Sequence, residues 1–219
     1  MIRRSEPLVG REGGFTLIEL LVAIAISAIV LGAVTQVVMV FFRTSDQTTA
    51  RLIESRDTQV TSAYFANDVA AIGTRDFADP TNPVLKKSVE TGVLNSAGDH
   101  PCGTSGTAAV RLIWDDVTKG PLVTDAPVTT LTRVAYSATA TGGTYELHRL
   151  LCRGSSTPVS DVVIAHDLTV APVVSCNPAA CDGTGSAVPA SVTMTLTSKD
   201  PLSRLDPVTV TLTGQRRQS

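Results

Sequence analysis

The apolar and polar positions of this chain divide it into three unlike stretches. From Phe15 to Phe42 there are 28 residues with one charge, Glu19, and only Thr16, Ser27, Thr35 and Gln36 as further polar side chains. A helix that is apolar on every side has no stable place in water, so this stretch predicts a segment sheathed in lipid or in other helices. At 1.5 Å per residue it would span about 42 Å, more than the roughly 30 Å of a bilayer's hydrocarbon core. Ala23, Ala25, Ala28, Gly32 and Ala33 offer small surfaces where a neighbouring helix can come close.

After Phe42 the pattern turns amphipathic. Leu52, Ile53, Val60, Tyr64, Phe65, Val69 and Ile72 recur at helical spacing, and Arg51, Glu54, Arg56, Asp57, Gln59 and Asp68 fall on the wetter side. The same helix is therefore expected to run on to about Ile72 and to stop at Gly73, with fraying or a bend in the polar, Thr-rich stretch 43–50. Tyr64 and Phe65 lie on the stripe that a sheet must cover, which makes them core residues rather than a recognition pair.

Residues 74–100 read as irregular, with Asp79-Pro80-Thr81-Asn82-Pro83, Lys86-Lys87 and Asn95-Ser96-Ala97-Gly98-Asp99 in succession. Short strands then dominate, at Ala108–Trp114, Val128–Ala138, Thr144–Cys152, Val159–Ala165, Leu168–Ser175, Ser191–Ser198 and Pro207–Thr213. Alternation is clearest in the last two, where threonines face water and Val, Met and Leu face a core. Gly142-Gly143 reads as a hairpin turn. One-sided burial implies a mainly antiparallel sheet, and the fold class is α+β: a long helix packed on a β-rich domain. The roughly 145 residues after the helix suffice for one modest domain.

Four cysteines all lie beyond the apolar segment. Cys176 and Cys181 enclose only four residues, a natural short disulfide loop, which leaves Cys102 to pair with Cys152; four cysteines permit three pairings in all. A zinc site is disfavoured, since no Cys-x-x-Cys knuckle occurs and His100, His148 and His166 lack ligand spacing. Asp182-Gly183-Thr184-Gly185-Ser186 has neither the ligands of a calcium loop nor the lysine of a phosphate cradle, so it reads as an exposed turn. Asp115-Asp116 are adjacent and do not aim at one point. No catalytic arrangement, metal or cofactor is implied.

The start of the chain changes the picture most. Arg3, Arg4 and Arg11 precede the apolar run, placing the N-terminus on the cytoplasmic side and everything after Arg43 outside. The cysteines then fall where oxidation is expected. An ordinary secretory signal is cut after its apolar run, whereas here the junction, Gly14/Phe15, lies before it. With Gly13-Gly14-Phe15-Thr16-Leu17-Ile18-Glu19-Leu20-Leu21 leading into an unbroken apolar helix, the chain resembles the type IV pilin-like superfamily.

That resemblance implies a prepilin peptidase that cuts after Gly14 and methylates the new amine of Phe15. It also implies that Glu19, fifth in the mature chain, meets the N-terminal amine of a neighbouring subunit in a filament. The parts would be a leader at 1–14, a transmembrane and filament-core helix at 15–42, its amphipathic continuation at 43–73, and an extracellular, disulfide-containing β-rich domain at 74–219. Abundant filament-forming pilins often carry proline where this chain has Gln36 and glycine where it has Ala28. Those departures, and the string from Glu54-Ser55-Arg56 to Tyr64-Phe65-Ala66-Asn67-Asp68-Val69, are similar to minor pilins and J-type pseudopilins. The implied role is structural: a subunit that initiates, caps or tips a type IV pilus-like filament. The alternatives are a tip adhesin or DNA-binding receptor of a pilus or competence system, and a minor pseudopilin of type II secretion.

Implied partners are the peptidase, other major and minor pilins through the N-terminal helix, the cytoplasmic membrane and an assembly platform. Without Arg3, Arg4, Arg11, Glu6 and Glu12 the mature chain keeps 15 basic and 18 acidic residues, a net charge of −3. That argues against a broad nucleic-acid surface and leaves at most a small patch of Lys86, Lys87, Arg149 and Arg153.

Overall fold

The computed structural model describes residues 14–76, 84–94, 100–104, 106–118, 128–181, 188–199 and 206–217. The chain forms two compact units, Met1–Asp46 and Gln47–Ser219. One α-helix, α1, runs over Leu17–Ala71 and contributes to both. Thr16 starts it as an N-cap: its Oγ1 accepts the Glu19 backbone N–H at 3.3 Å, satisfying one of the orphan donors of the first turn. Residues 43–50 are helical, since the modest propensity deficit of Thr and Ser is not a break. Termination comes at Gly73, whose φ of 142° disfavours a side chain.

In the first unit every large apolar side chain from Phe15 to Phe42 is exposed. This helix is long and apolar enough to cross a membrane, with a mean hydropathy of 2.7 in its most apolar window.

In the second unit the rest of α1 lies on an antiparallel sheet. The strands are β1 (Thr74–Asp76), β2 (Val84–Lys86), β3 (Val89–Val93), β4 (Thr107–Thr118), β5 (Val128–Thr141), β6 (Thr144–Arg153), β7 (Pro158–Leu168), β8 (Val173–Asn177), β9 (Ser191–Ser198) and β10 (Val208–Gln215). β1 and β2 form a separate ribbon; the main sheet runs β10-β9-β7-β6-β5-β4-β3, with β8 also on β9. Gly142 and Gly143, at φ 61° and 96°, make the two-residue turn between β5 and β6. The α+β class and the antiparallel sheet agree with the expectation from sequence.

Two expectations differ. Within 74–100, read as irregular, the described residues form β1, β2 and β3, short and, in β3, bulged between Glu90 and Gly92, so no period-two pattern marks them. The strand expected at Leu168–Ser175 is broken. Leu168 closes β7, Asp167 takes φ 54°, and Pro172 precedes a new strand, β8. Residues 79–83, 95–99 and 182–186 lie outside the described residues.

The core lies between α1 and one sheet face. Phe65, Val69 and Ile72 meet Val110, Leu112, Val134, Tyr136, Leu147 and Met194, all but fully buried. Phe65 and Tyr136 meet edge to face at 5.5 Å. The opposite face carries a smaller cluster of Leu94, Cys102, Ala108, Ala135, Leu150 and Cys152. The sheet is thus buried on both sides in its middle.

Candidate functional site

The residues singled out at the N-terminus stand together at the start of α1. Gly14 precedes the helix with open space where a Cβ would go, so the backbone there is approachable. Phe15 is 87% exposed. Glu19 occupies the first turn, where the positive end of the helix dipole favours an acid. Its position three residues after the Thr16 cap is that of a capping box. This turn presents an N-terminal helix end, one carboxylate and an uninterrupted apolar surface, all exposed.

The second unit holds a polar constellation that hydrophobicity did not reveal. Asp68, expected on the wet side of α1, is buried. Arg149 of β6 donates to it twice, Nε to Oδ2 and Nη2 to Oδ1, both at 2.7 Å. Tyr136 of β5 donates its hydroxyl to Oδ2 at 2.6 Å. Arg149 also stacks on the ring of Tyr64, 4.8 Å from its centroid, so Tyr64 lies at the margin of the core instead of inside it. Burial pushes the Tyr136 phenol well above its ordinary range, and the Asp68 charge pushes it further. For Arg149, burial pulls downward, but the hydrogen bonds and charge of Asp68 prevail and hold the pKa above its usual value. The arrangement is a planar fork that fixes the rotation of α1 on the sheet.

Glu54 and Asp57 correct the expectation in the same way. Asp57 Oδ2 accepts both the backbone N–H and the ring Nδ1 of His166 at 2.9 Å, and Glu54 Oε1 accepts Ser198 Oγ at 2.8 Å. Meanwhile Leu52 and Ile53, expected on the covered stripe, are exposed. The face of α1 turned to the sheet is Ala50, Glu54, Asp57, Thr61, Phe65, Asp68 and Val69, continued by Ile72 just past the helix end. Its spacing is helical throughout, but its first half is polar. The legible signal was the spacing of Asp68 from Phe65 and Ile72, three and four residues away on the apolar stripe.

On the far face of the sheet, Arg111 and Glu90 are buried together at 3.1 Å, and Lys87 reaches the other Glu90 oxygen at 3.1 Å. Burial lowers the pKa of Arg111 against the opposing pull of Glu90. Of the basic residues considered as a patch from sequence, Lys87 and Arg149 are engaged in ion pairs and Arg153 is exposed. Asp116 accepts from Trp114 Nε1 and Thr132 Oγ1 within the sheet, and is not half of a carboxylate dyad. Cys102 is bonded to Cys152 and Cys176 to Cys181. The first bond ties the segment after β3 to β6; the second closes the turn that follows β8. Among the described residues no group of three His, Cys, Asp or Glu side chains is placed to hold a metal.

These features define a class: a protein with one membrane-capable N-terminal helix, an exposed acid at its start, and a disulfide-bonded β-rich domain on the same chain. Residues 10–35 match the family described as the prokaryotic N-terminal methylation motif. The match supports a type IV pilin-like reading of the N-terminal segment, and the motif implies processing by a prepilin peptidase and assembly in a membrane. No curated protein matches the chain.

Proposed function

We propose that this chain is a minor, structural subunit of a type IV pilus-like filament, one that initiates, caps or tips the fibre. The observation that carries the proposal is the methylation motif over residues 10–35, with Gly14 and Phe15 just before the apolar helix and Glu19 in its first turn. The peptidase cuts at Gly14/Phe15 and methylates Phe15; the mature helix holds the subunit in the cytoplasmic membrane with its domain outside. Glu19 then pairs with the amine of a neighbour's first residue as the subunit passes into the filament. A charge in an apolar environment costs several kcal/mol unless it is compensated, so pairing sets the stagger of adjacent helices. The absence of proline anywhere in Leu17–Ala71 supports a minor subunit over an abundant one. The chain itself acts as a structural part, not as an enzyme.

Two measurements test this. N-terminal sequencing and intact mass of the native protein should begin at Phe15 with one added methyl group; a terminus downstream of the apolar run would reject the assignment. Glu19→Leu should insert in the membrane as well as wild type, because it removes a desolvation cost. Its amount in sheared filaments, or the number of filaments per cell, should fall sharply. Equal incorporation with normal filament number would leave Glu19 as only a capping-box acid.

A further inference from the structure

The first turn of α1 is anchored at one residue. Glu19 and Leu20 donate their backbone N–H groups to the Thr16 carbonyl at 3.1 and 3.2 Å, and Thr16 Oγ1 accepts the Glu19 N–H at 3.3 Å. A residue whose carbonyl takes the first helical bond and whose side chain takes an N–H of the first turn is an N-cap, standing outside the helix it starts. Gly14, Phe15 and Thr16 are accordingly non-helical, and α1 begins at Leu17. Among the described residues no backbone hydrogen bond reaches the Gly14 carbonyl, and the space beside Gly14 is open.

Glycine caps a helix about as well as threonine, so a second start is available at Gly14. From there Phe15 and Thr16 become the first helical residues, and the Gly14 carbonyl accepts the N–H of Ile18. The Gly14/Phe15 bond is then drawn into the first turn. Two side chains select against that start. The Thr16 hydroxyl caps only from its own position, and Glu19 holds the third helical position, where a capping box places its acid, only when Thr16 is the cap.

We infer that Thr16 is a positioning residue for processing: its cap stops α1 short of Phe15 and keeps the Gly14 carbonyl free for the peptidase. This rests on the processing step of the reading above. Hydrolysis adds a water hydroxyl to the Gly14 carbonyl carbon, breaks that carbon's bond to the Phe15 nitrogen, and leaves the water's proton on the new amine. Negative charge builds on the Gly14 oxygen as the water attacks, and the peptidase has to meet it with donors of its own. An oxygen turned along the helix axis to accept from Ile18 is poorly placed for them.

The test incubates the full-length chain in detergent with membranes of its native cells and follows loss of the leader by intact mass. Thr16→Val keeps the shape of threonine and removes the acceptor oxygen. Thr16→Asn changes the shape and restores a strong cap. Thr16→Val should be cut about fivefold more slowly than wild type, the factor that loss of a cap is worth, and Thr16→Asn at least as fast as wild type. All three products should begin at the same residue, Phe15. If Thr16→Asn is cut no faster than Thr16→Val, the peptidase reads the side chain at this position directly or ignores it, and the positioning role is wrong while processing stands. If wild type is not cut between Gly14 and Phe15, the processing reading fails and takes this inference with it.

Discussion

Glu19 and Asp68 are carried by the same helix, α1, the first in the unit that ends at Asp46 and the second in the unit that begins at Gln47. Around Glu19 the helix is apolar on every side and exposed, and its described hydrogen bond is the backbone cap to Thr16. Around Asp68 the helix is covered, and the carboxylate is held by Arg149 and Tyr136 at 2.6–2.7 Å. The domain has compensated its own buried acid from its own sheet, and so is complete. The N-terminal segment leaves its acid and its apolar surface exposed. One unit satisfies its buried acid internally; the other, on the reading proposed above, would find its counterpart in a neighbouring subunit.

The comparison breaks most directly at Asp68. Asp68→Ala leaves the Arg149 guanidinium half-desolvated without its counter-charge and should destabilise the domain by about 3 kcal/mol, the low end for a broken buried pair because Arg149 keeps its stack on Tyr64. Urea denaturation of the full chain in detergent, followed by the fluorescence of Trp114, the only tryptophan, measures it. The double change Asp68→Leu with Arg149→Met should recover most of the loss. Glu19→Leu should leave the same midpoint where it is, and a shift there would undo the contrast.

Replacing Cys102 and Cys152 together by serine opens a closure of 50 residues and should cost roughly 2–4 kcal/mol by the same assay. Removing the bond between Cys176 and Cys181, which are 5 apart, should cost less. Gly214 sits where a Cβ would come within 2.5 Å of the Val69 Cβ, so β10 and α1 touch through a missing side chain. Gly214→Ala should cost about 1–3 kcal/mol, and combining it with Val69→Ala should cost less than the two changes added.

The smallest effect is confined to alkaline solution. Tyr136 has its folded pKa raised, so the stability it contributes is whole below the unfolded value near 10 and is lost as the pH rises from there toward the folded value. The urea midpoint of wild type should therefore fall more steeply above pH 10 than that of Tyr136→Phe. Parallel slopes would show the phenol to be freely ionisable and the fork around Asp68 to be loose.

The N-terminal unit was legible almost entirely in the sequence, because its structure depends on local terms. An unbroken apolar run of this length favours a helix, and Thr16 and Glu19 cap it through neighbours three residues apart. β9 and β10 were legible for a like reason, as strict alternation of Thr with Val, Met and Leu has one extended solution. So was the turn at Gly142-Gly143, where two residues at positive φ ask for glycine. The covered face of α1 was not. Leu52 and Ile53 outscore Glu54 and Asp57 on any hydrophobic scale, yet His166 and Ser198 turn the acids inward from more than 100 positions along the chain. Asp68 is buried because Arg149, 81 residues away, meets it. The burial of a charge depends on what waits at the other end of a long-range contact, and only the folded sheet brings those ends together.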